Sequence, residues 1–197
     1  FRFGGCGSSV TVTDDLKSAL RARARAARAK AHKTGGLAAS QAAQLLLGFL
    51  TPFRGQVIAG YMPIGTEIDP RAVMATLARS GPVAVPVVEA KAQPLRFDLW
   101  TPDAAMVTGA FGALIPEQST PVTPTVLIVP MLAFSRHGHR LGYGGGFYDR
   151  SLAQLRAQGS VFAVGLAYGA QEAPDLPVEG TDAPLDAIVT EREVLTF

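Results

Sequence analysis

Residues 125–134 read TVLIVPMLAF, ten consecutive positions without a charged residue. Such a run does not suit a strand with one wetted face, where polar and apolar residues alternate. It is also far short of the roughly 18–20 apolar residues that cross a bilayer. It predicts one central strand covered on both faces, and therefore a sheet with helices above and below. The flanking sequence agrees. From residue 56 onward strands and helices alternate: QVIAGYM is a strand, and Asp69-Pro70 opens the helix RAVMATLARS, which Gly81 stops. VAVPVV and LRFDLW are strands. DRSLAQLRAQG is a helix opening near Asp149, and VFAVGLA and LDAIVT are strands. Residues 101–124, rich in Pro, Thr and Gly, read mostly as loop. The expected fold is α/β, a three-layer α/β/α sandwich with a mostly parallel central sheet.

Ahead of this body, residues 13–33 predict a helix with Thr13 as N-cap and Asp14 and Asp15 at its positive end. At 100° per residue, Leu16, Leu20, Ala24, Ala27 and Ala31 form a thin apolar seam. Lys17, Arg21, Arg25, Arg28 and His32 form a cationic stripe beside it, while Arg23 and Lys30 lie on the other flank. A second helix is expected at about 38–50. Residues 1–12 read as a disordered or vector-derived leader, and 13–197 as a single domain. The net charge of +2 conceals an imbalance: residues 1–33 hold eight Lys or Arg against two Asp, leaving ten basic and fourteen acidic residues elsewhere. A slightly acidic body with one basic arm suggests a local anion site more than a broad nucleic-acid surface. The single cysteine, Cys6, excludes disulfide frameworks and cysteine zinc sites, and points to a reducing cytoplasm.

GHRLGYGGGFYDRSL, residues 138–152, holds five glycines, four of them between Arg140 and Arg150, and leads into a helix. Glycines let the backbone approach a ligand closely, and successive amides beside a helix N-terminus make an anion-binding concavity. The stretch is neither a P-loop, because Phe147 follows Gly146, nor a G-x-G-x-x-G fingerprint, because Phe147 stands where the third glycine belongs. A tight connection without a ligand, with Asp149 as an ordinary N-cap, is the bland alternative. His32, His137 and His139 have no triad or metal spacing.

The run PMLAFSRHGHRLGYGGGFYDR, residues 130–150, resembles the 5-formyltetrahydrofolate cyclo-ligase family, also called 5,10-methenyltetrahydrofolate synthetases. KSALR (17–21), GYMPIGTEIDP (60–70) and DAPLDAIVTE (182–191) are similar to its other motifs, so the resemblance covers roughly 17–192. One departure stands out: some members carry a basic residue inside the glycine loop, where this chain has Tyr143 and Gly145.

The resemblance implies ATP- and Mg²⁺-dependent closure of the 5-formyl group onto N10 of tetrahydrofolate through an iminium phosphate, releasing ADP and phosphate. It implies a fold shared with certain sugar-phosphate isomerases and coenzyme A transferases. Lys17, Arg21, Arg140, Leu141, Gly142, Tyr143, Gly144, Gly145, Gly146, Phe147 and Tyr148 match the nucleotide site. Met62, Glu67 and Tyr143 to Phe147 match the folate side, where a carboxylate suits the N–H groups of a pterin. Asp149 and Asp186 match magnesium ligands, and Arg140 and Asp149 are the catalytic candidates. Tyr61, Phe134 and Trp100 are possible pocket walls, the last two more often core residues. Arg25 and Arg28 read as solvated charges or helpers behind the site. The expected partner is a reduced folate, with no nucleic acid or membrane, and the chain is expected to be a monomer. Two other readings stand beside this one: a diverged nucleotide-binding paralogue with another substrate or a regulatory role, and an RNA-binding module using the basic helix.

Overall fold

A computed structural model describes residues 9–197, with side chains from Leu16 onward. In chain order the elements are α1 (Ser9–Thr34), α2 (Gly36–Phe49), β1 (Ile58–Ala59), α3 (Arg71–Leu77), β2 (Val83–Val87) and β3 (Arg96–Trp100). There follow β4 (Met106–Thr108), β5 (Leu114–Pro116), β6 (Val126–Pro130), β7 (Ala133–Phe134) and β8 (Arg140–Leu141). The chain closes with α4 (Phe147–Gln158), β9 (Phe162–Leu166), β10 (Ala187–Val189) and β11 (Val194–Thr196).

Seven strands form one sheet in the order β11-β10-β9-β6-β1-β2-β3. The inner pairings β10–β9, β9–β6, β6–β1 and β1–β2 are parallel, and only the edge strands β3 and β11 run antiparallel. The apolar run behaves as expected of a doubly covered strand. Val126 and Ile128 pack on one face with Leu46, Met74 and Leu77 of α2 and α3. Leu127 and Val129 pack on the other with Leu152 and Leu155 of α4. Successive side chains of a strand point to opposite faces, so a strand between two helical layers must be apolar throughout. The three-layer sandwich follows.

The structure corrects several local expectations. The run is not one strand: β6 ends at Pro130, and Ala133–Phe134 turns into a hairpin with Arg140–Leu141. Residues 101–124 contain the β4–β5 hairpin. α4 starts at Phe147 with Gly146 at its N-cap, so Asp149 lies in the first turn instead of capping it. α1 begins at Ser9, which places Thr13 inside the helix and takes residues 9–12 of the expected leader with it; residues 1–8 lie outside the described residues. The stripe of α1 is divided, with Arg25 and His32 exposed and Arg21 half-buried. Lys17 and Arg28 are buried, whereas Leu16 of the seam is 56 % exposed. The other seam residues, Leu20, Ala24, Ala27 and Ala31, are half-buried, so the inward face of α1 combines an alanine seam of small area with buried cations.

Candidate active site

The strand order reverses between β1 and β6. From β1 the chain proceeds outward to β2 and β3; from β6 it proceeds the other way to β9, β10 and β11. Crevices outside the carboxyl ends of strands at such a reversal are where open α/β sheets bind ligands. Here a cavity of ≈ 370 Å³ lies beside Pro130, the last residue of β6, and Pro86 near the end of β2. Its volume falls in the range of small-molecule sites. The segment after β1 contributes Tyr61, Met62 and Glu67, and the glycine loop contributes Tyr143, Gly145, Phe147 and Tyr148. The β4–β5 hairpin closes one side with Phe111, whose ring meets Phe147 edge-on at 5.9 Å.

Glu67 is the carboxylate of this cavity. It is 5 % exposed, and its Oε2 accepts the Ile64 N–H at 2.7 Å. Oε1 accepts the Tyr143 hydroxyl and stands 3.6 Å from Arg28 Nη1. Burial raises the Glu67 pKa, while the hydrogen bonds from Tyr143 and Ile64 and the charge of Arg28 pull it back. Burial raises the Tyr143 and Tyr148 hydroxyls as well, so both are neutral donors at ordinary pH. The Tyr148 hydroxyl is buried with no partner among the described residues. A buried hydroxyl is normally satisfied, so one that lines a cavity is placed to meet a ligand.

The glycine loop, 142–146, adjoins the cavity. Gly144 has φ +98° and Gly146 φ +62°, in the region side chains avoid. A Cβ on Gly144 would stand 3.3 Å from the Arg21 guanidinium carbon, and one on Gly146 would stand 2.7 Å from Arg150 Nη1. Arg21 Nε donates to Gly142 O at 3.2 Å, and Arg150 Nη2 donates to Gly145 O. Among the described residues, no amide from Gly142 to Gly146 donates a hydrogen bond. Unspent amides next to the N-terminus of α4 are suited to an anion. Arg21 of α1 and Arg150 of the following helix thus stand against a loop that carries no basic residue of its own.

The expected residues do not all converge. Arg140 is braced: its side chain is 5 % exposed, Nη2 bonds Asp149 Oδ1 at 2.6 Å and Nη1 donates to Ala183 O. Asp149 Oδ1 also accepts the Ala183 N–H at 3.0 Å. Leu141 is buried in β8. Lys17 reaches Glu179 at 2.9 Å and Asp182 at 3.3 Å; burial opposes its charge, yet these two acids raise its pKa above the usual ammonium value. Asp186 is not brought to Asp149. Its carboxylate binds Arg156 at 2.8 Å and the Ala163 N–H at 2.7 Å. Arg156 lies in the last turn of α4 and Asp149 in the first, about 10 Å apart along the axis. The acid of that segment nearest to Asp149 in the chain's path is Asp182, next to Ala183; with two aspartates four apart, only the tertiary contacts distinguish them. Trp100 and Phe134 are core residues, and Tyr61 alone of the three aromatics lines the cavity. His137 and His139 flank Gly138, whose vacant Cβ position faces Phe197 and Leu185 O, away from the glycine loop. Arg28 is the residue the sequence undervalued; its position seven beyond Arg21, on the same helix face, was the available signal.

A doubly wound α/β sheet with a buried carboxylate and a cavity at its switch point describes an enzyme that acts on a small molecule. The chain belongs to the 5-formyltetrahydrofolate cyclo-ligase family, whose model matches residues 13–191. It is 34 % identical over 149 residues to the 5-formyltetrahydrofolate cyclo-ligase of Haemophilus influenzae, covering 72 % of this chain and 79 % of that one. It is 33 % identical over 161 residues to that of Escherichia coli K12, covering 78 % and 88 %. The solved structure of Aquifex aeolicus 5,10-methenyltetrahydrofolate synthetase superposes with a TM-score of 0.76 at 28 % identity, covering 92 % of each chain.

Proposed function

We propose that this chain is a 5-formyltetrahydrofolate cyclo-ligase that uses ATP and Mg²⁺ to form 5,10-methenyltetrahydrofolate. The observation that carries the reading is the adjacency of Glu67, buried in an apolar cavity, to a glycine loop whose amides are unspent. Glu67 accepts hydrogen bonds from pterin N–H groups, and Met62, Tyr61 and Phe147 wall the ring. The loop amides and Arg21 hold the polyphosphate, and Lys17 joins them by leaving its acidic partners. The formyl oxygen attacks the γ-phosphorus and the β–γ bridging bond breaks; N10 then bonds the formyl carbon, that carbon's bond to the phosphorylated oxygen breaks, and the N10 proton is lost. The chain's task is to align formyl oxygen, phosphorus and N10, and to keep water out of the cavity.

The donor set fits a magnesium ion bound through phosphate. Asp149 has one oxygen committed to Arg140 and Ala183 and the other without a partner among the described residues, and Mg²⁺ commonly takes one or two carboxylates plus phosphate and water. When bound, the ion would neutralise charge on the transferring phosphate. The cationic stripe supports this reading over RNA binding, because burial removes Lys17 and Arg28 from the surface an RNA would meet. The lone cysteine in 197 residues supports a reducing, cytoplasmic setting. The test is direct: incubate the protein with 5-formyltetrahydrofolate, ATP and Mg²⁺ and follow the near-ultraviolet absorbance of the methenyl product. Growth of that band with stoichiometric ADP is expected. ATP turnover with other acceptors only would replace the reading with the diverged paralogue.

A further inference from the structure

Arg28 is buried, 5 % exposed, in the interior behind the cavity, yet it does not line the cavity itself. Its side-chain contacts converge on Glu67 and its surroundings. Nε donates to Thr66 Oγ1 at 3.0 Å, one residue before Glu67. Nη1 donates to the Tyr143 hydroxyl, stands 3.6 Å from Glu67 Oε1, and lies 3.5 Å from Met131 O. Its guanidinium sits 5.4 Å from the centre of the Tyr143 ring. Arg28, Tyr143 and Glu67 form a closed triangle of contacts joining α1, the glycine loop and the segment after β1.

We propose that Arg28 is a positioning residue for Glu67: it holds the carboxylate ionised and aimed into the cavity, ready to receive a pterin. This rests on the assignment of Glu67 to the folate. A buried carboxylate without a cation is driven toward its protonated form, in which one oxygen becomes a donor and no longer suits an N–H partner. The groups facing Glu67 are Arg28 from α1, Tyr143 from the glycine loop, Tyr148 from α4, Tyr61 after β1 and the Ile64 amide. Burial keeps all three tyrosines neutral, so among the described residues Arg28 is the one cation that faces the carboxylate. Removing it leaves desolvation unopposed by charge. The Glu67 carboxyl then titrates higher, and folate binding fails first on the acid side.

The experiment compares kcat and KM for 5-formyltetrahydrofolate and for ATP, from acid to mildly alkaline pH, in the wild type, Arg28→Met, Arg28→Lys, Glu67→Gln and the Glu67→Gln/Arg28→Met double variant. Arg28→Met is expected to raise the folate KM about ten- to a hundredfold at neutral pH and to move its acid limb to higher pH. The KM for ATP stays within about twofold, since Lys17 and Arg21 are untouched. Arg28→Lys restores the acid limb while keeping part of the KM rise, because it loses the fork to Thr66 and Tyr143. The double variant shows no pH shift beyond that of Glu67→Gln. A pH profile in Arg28→Met that superposes on the wild type, or an equal rise in both KM values, overturns the proposal. If Glu67→Gln leaves the folate KM unchanged, the folate assignment of Glu67 falls instead. Carboxyl ¹³C titration of Glu67 in the free protein then decides Arg28's role: an upward shift in the variant keeps it, and no shift ends it. Where Arg28→Met does not fold, Arg28→Gln, which also removes the charge, carries the same titration.

Discussion

Asp149 shows how far a residue's job can be read from its neighbours in sequence. As a carboxylate at the head of a helix it suits a metal, and one of its oxygens has no partner among the described residues. Its other oxygen, however, is the sole acidic partner of Arg140 among the described residues, and the Arg140 side chain is almost fully buried. Replacing it by Asn therefore removes more than a ligand. Asp149→Asn is expected to slow turnover severely and also to lower stability by about 1–3 kcal/mol, since a buried guanidinium loses its counter-charge. Chemical unfolding beside activity measurements checks this; unchanged stability would place Arg140's charge elsewhere. Arg28 makes the converse point. Its sequence context, an Ala- and Arg-rich helix, reads as a solvated stripe, and only Glu67, thirty-nine positions further on, explains why it is inside.

At the scale of elements, α1 and the glycine loop act as a pair. Lys17, Arg21 and Arg28 fall within a narrow arc of one helix, so a single docking event brings Lys17 to Glu179 and Asp182, Arg21 to the glycine loop and Arg28 to Glu67 together. The loop in turn needs backbone that a side chain would spoil. Gly144→Ala is expected to cost about 1–2 kcal/mol from its left-handed φ. It would also push the Arg21 guanidinium from its place, raising the KM for ATP more than that for folate. An ATP KM equal to the wild type would argue that Arg21 serves the fold alone. The run 125–134 shows why element boundaries were less legible than element types. Hydrophobicity continues past Pro130 because Met131, Leu132 and Phe134 are also buried, but they belong to a connection and a hairpin. Burial is what the pattern reports, and a buried turn looks like a buried strand.

For the molecule as a whole, one sheet joins both apolar layers. Ile128→Ala on the face of α2 and α3 is expected to cost about 2–5 kcal/mol, and Leu127→Ala on the face of α4 a similar amount. Each should lower a single cooperative transition, followed by the fluorescence of Trp100 in β3; two separated transitions would mean that the layers unfold independently. The sheet edges bear on assembly. Beside β3, Leu99 N–H donates to Thr120 O and Val122 N–H to Phe97 O, so that edge is already taken, and β11 is only three residues long. A monomer is the expected state, checked by light scattering on a sizing column; a concentration-dependent dimer would contradict it.

The alternation of apolar runs and amphipathic segments settled the layer architecture, because a strand covered on two faces and a helix covered on one leave different periods in a chain. The glycine cluster was equally legible, since backbone freedom is a property of residue type, whereas Glu67 was singled out by the family resemblance and its burial came only with the fold. Which face of α1 turns inward, which of Asp182 and Asp186 lies beside the Asp149 segment, and that Arg140 braces instead of standing free were decided only in three dimensions. Each is a choice among near-equivalent local options. The partner that tips it lies dozens of residues away, so its energy is absent until the sheet brings the segments together.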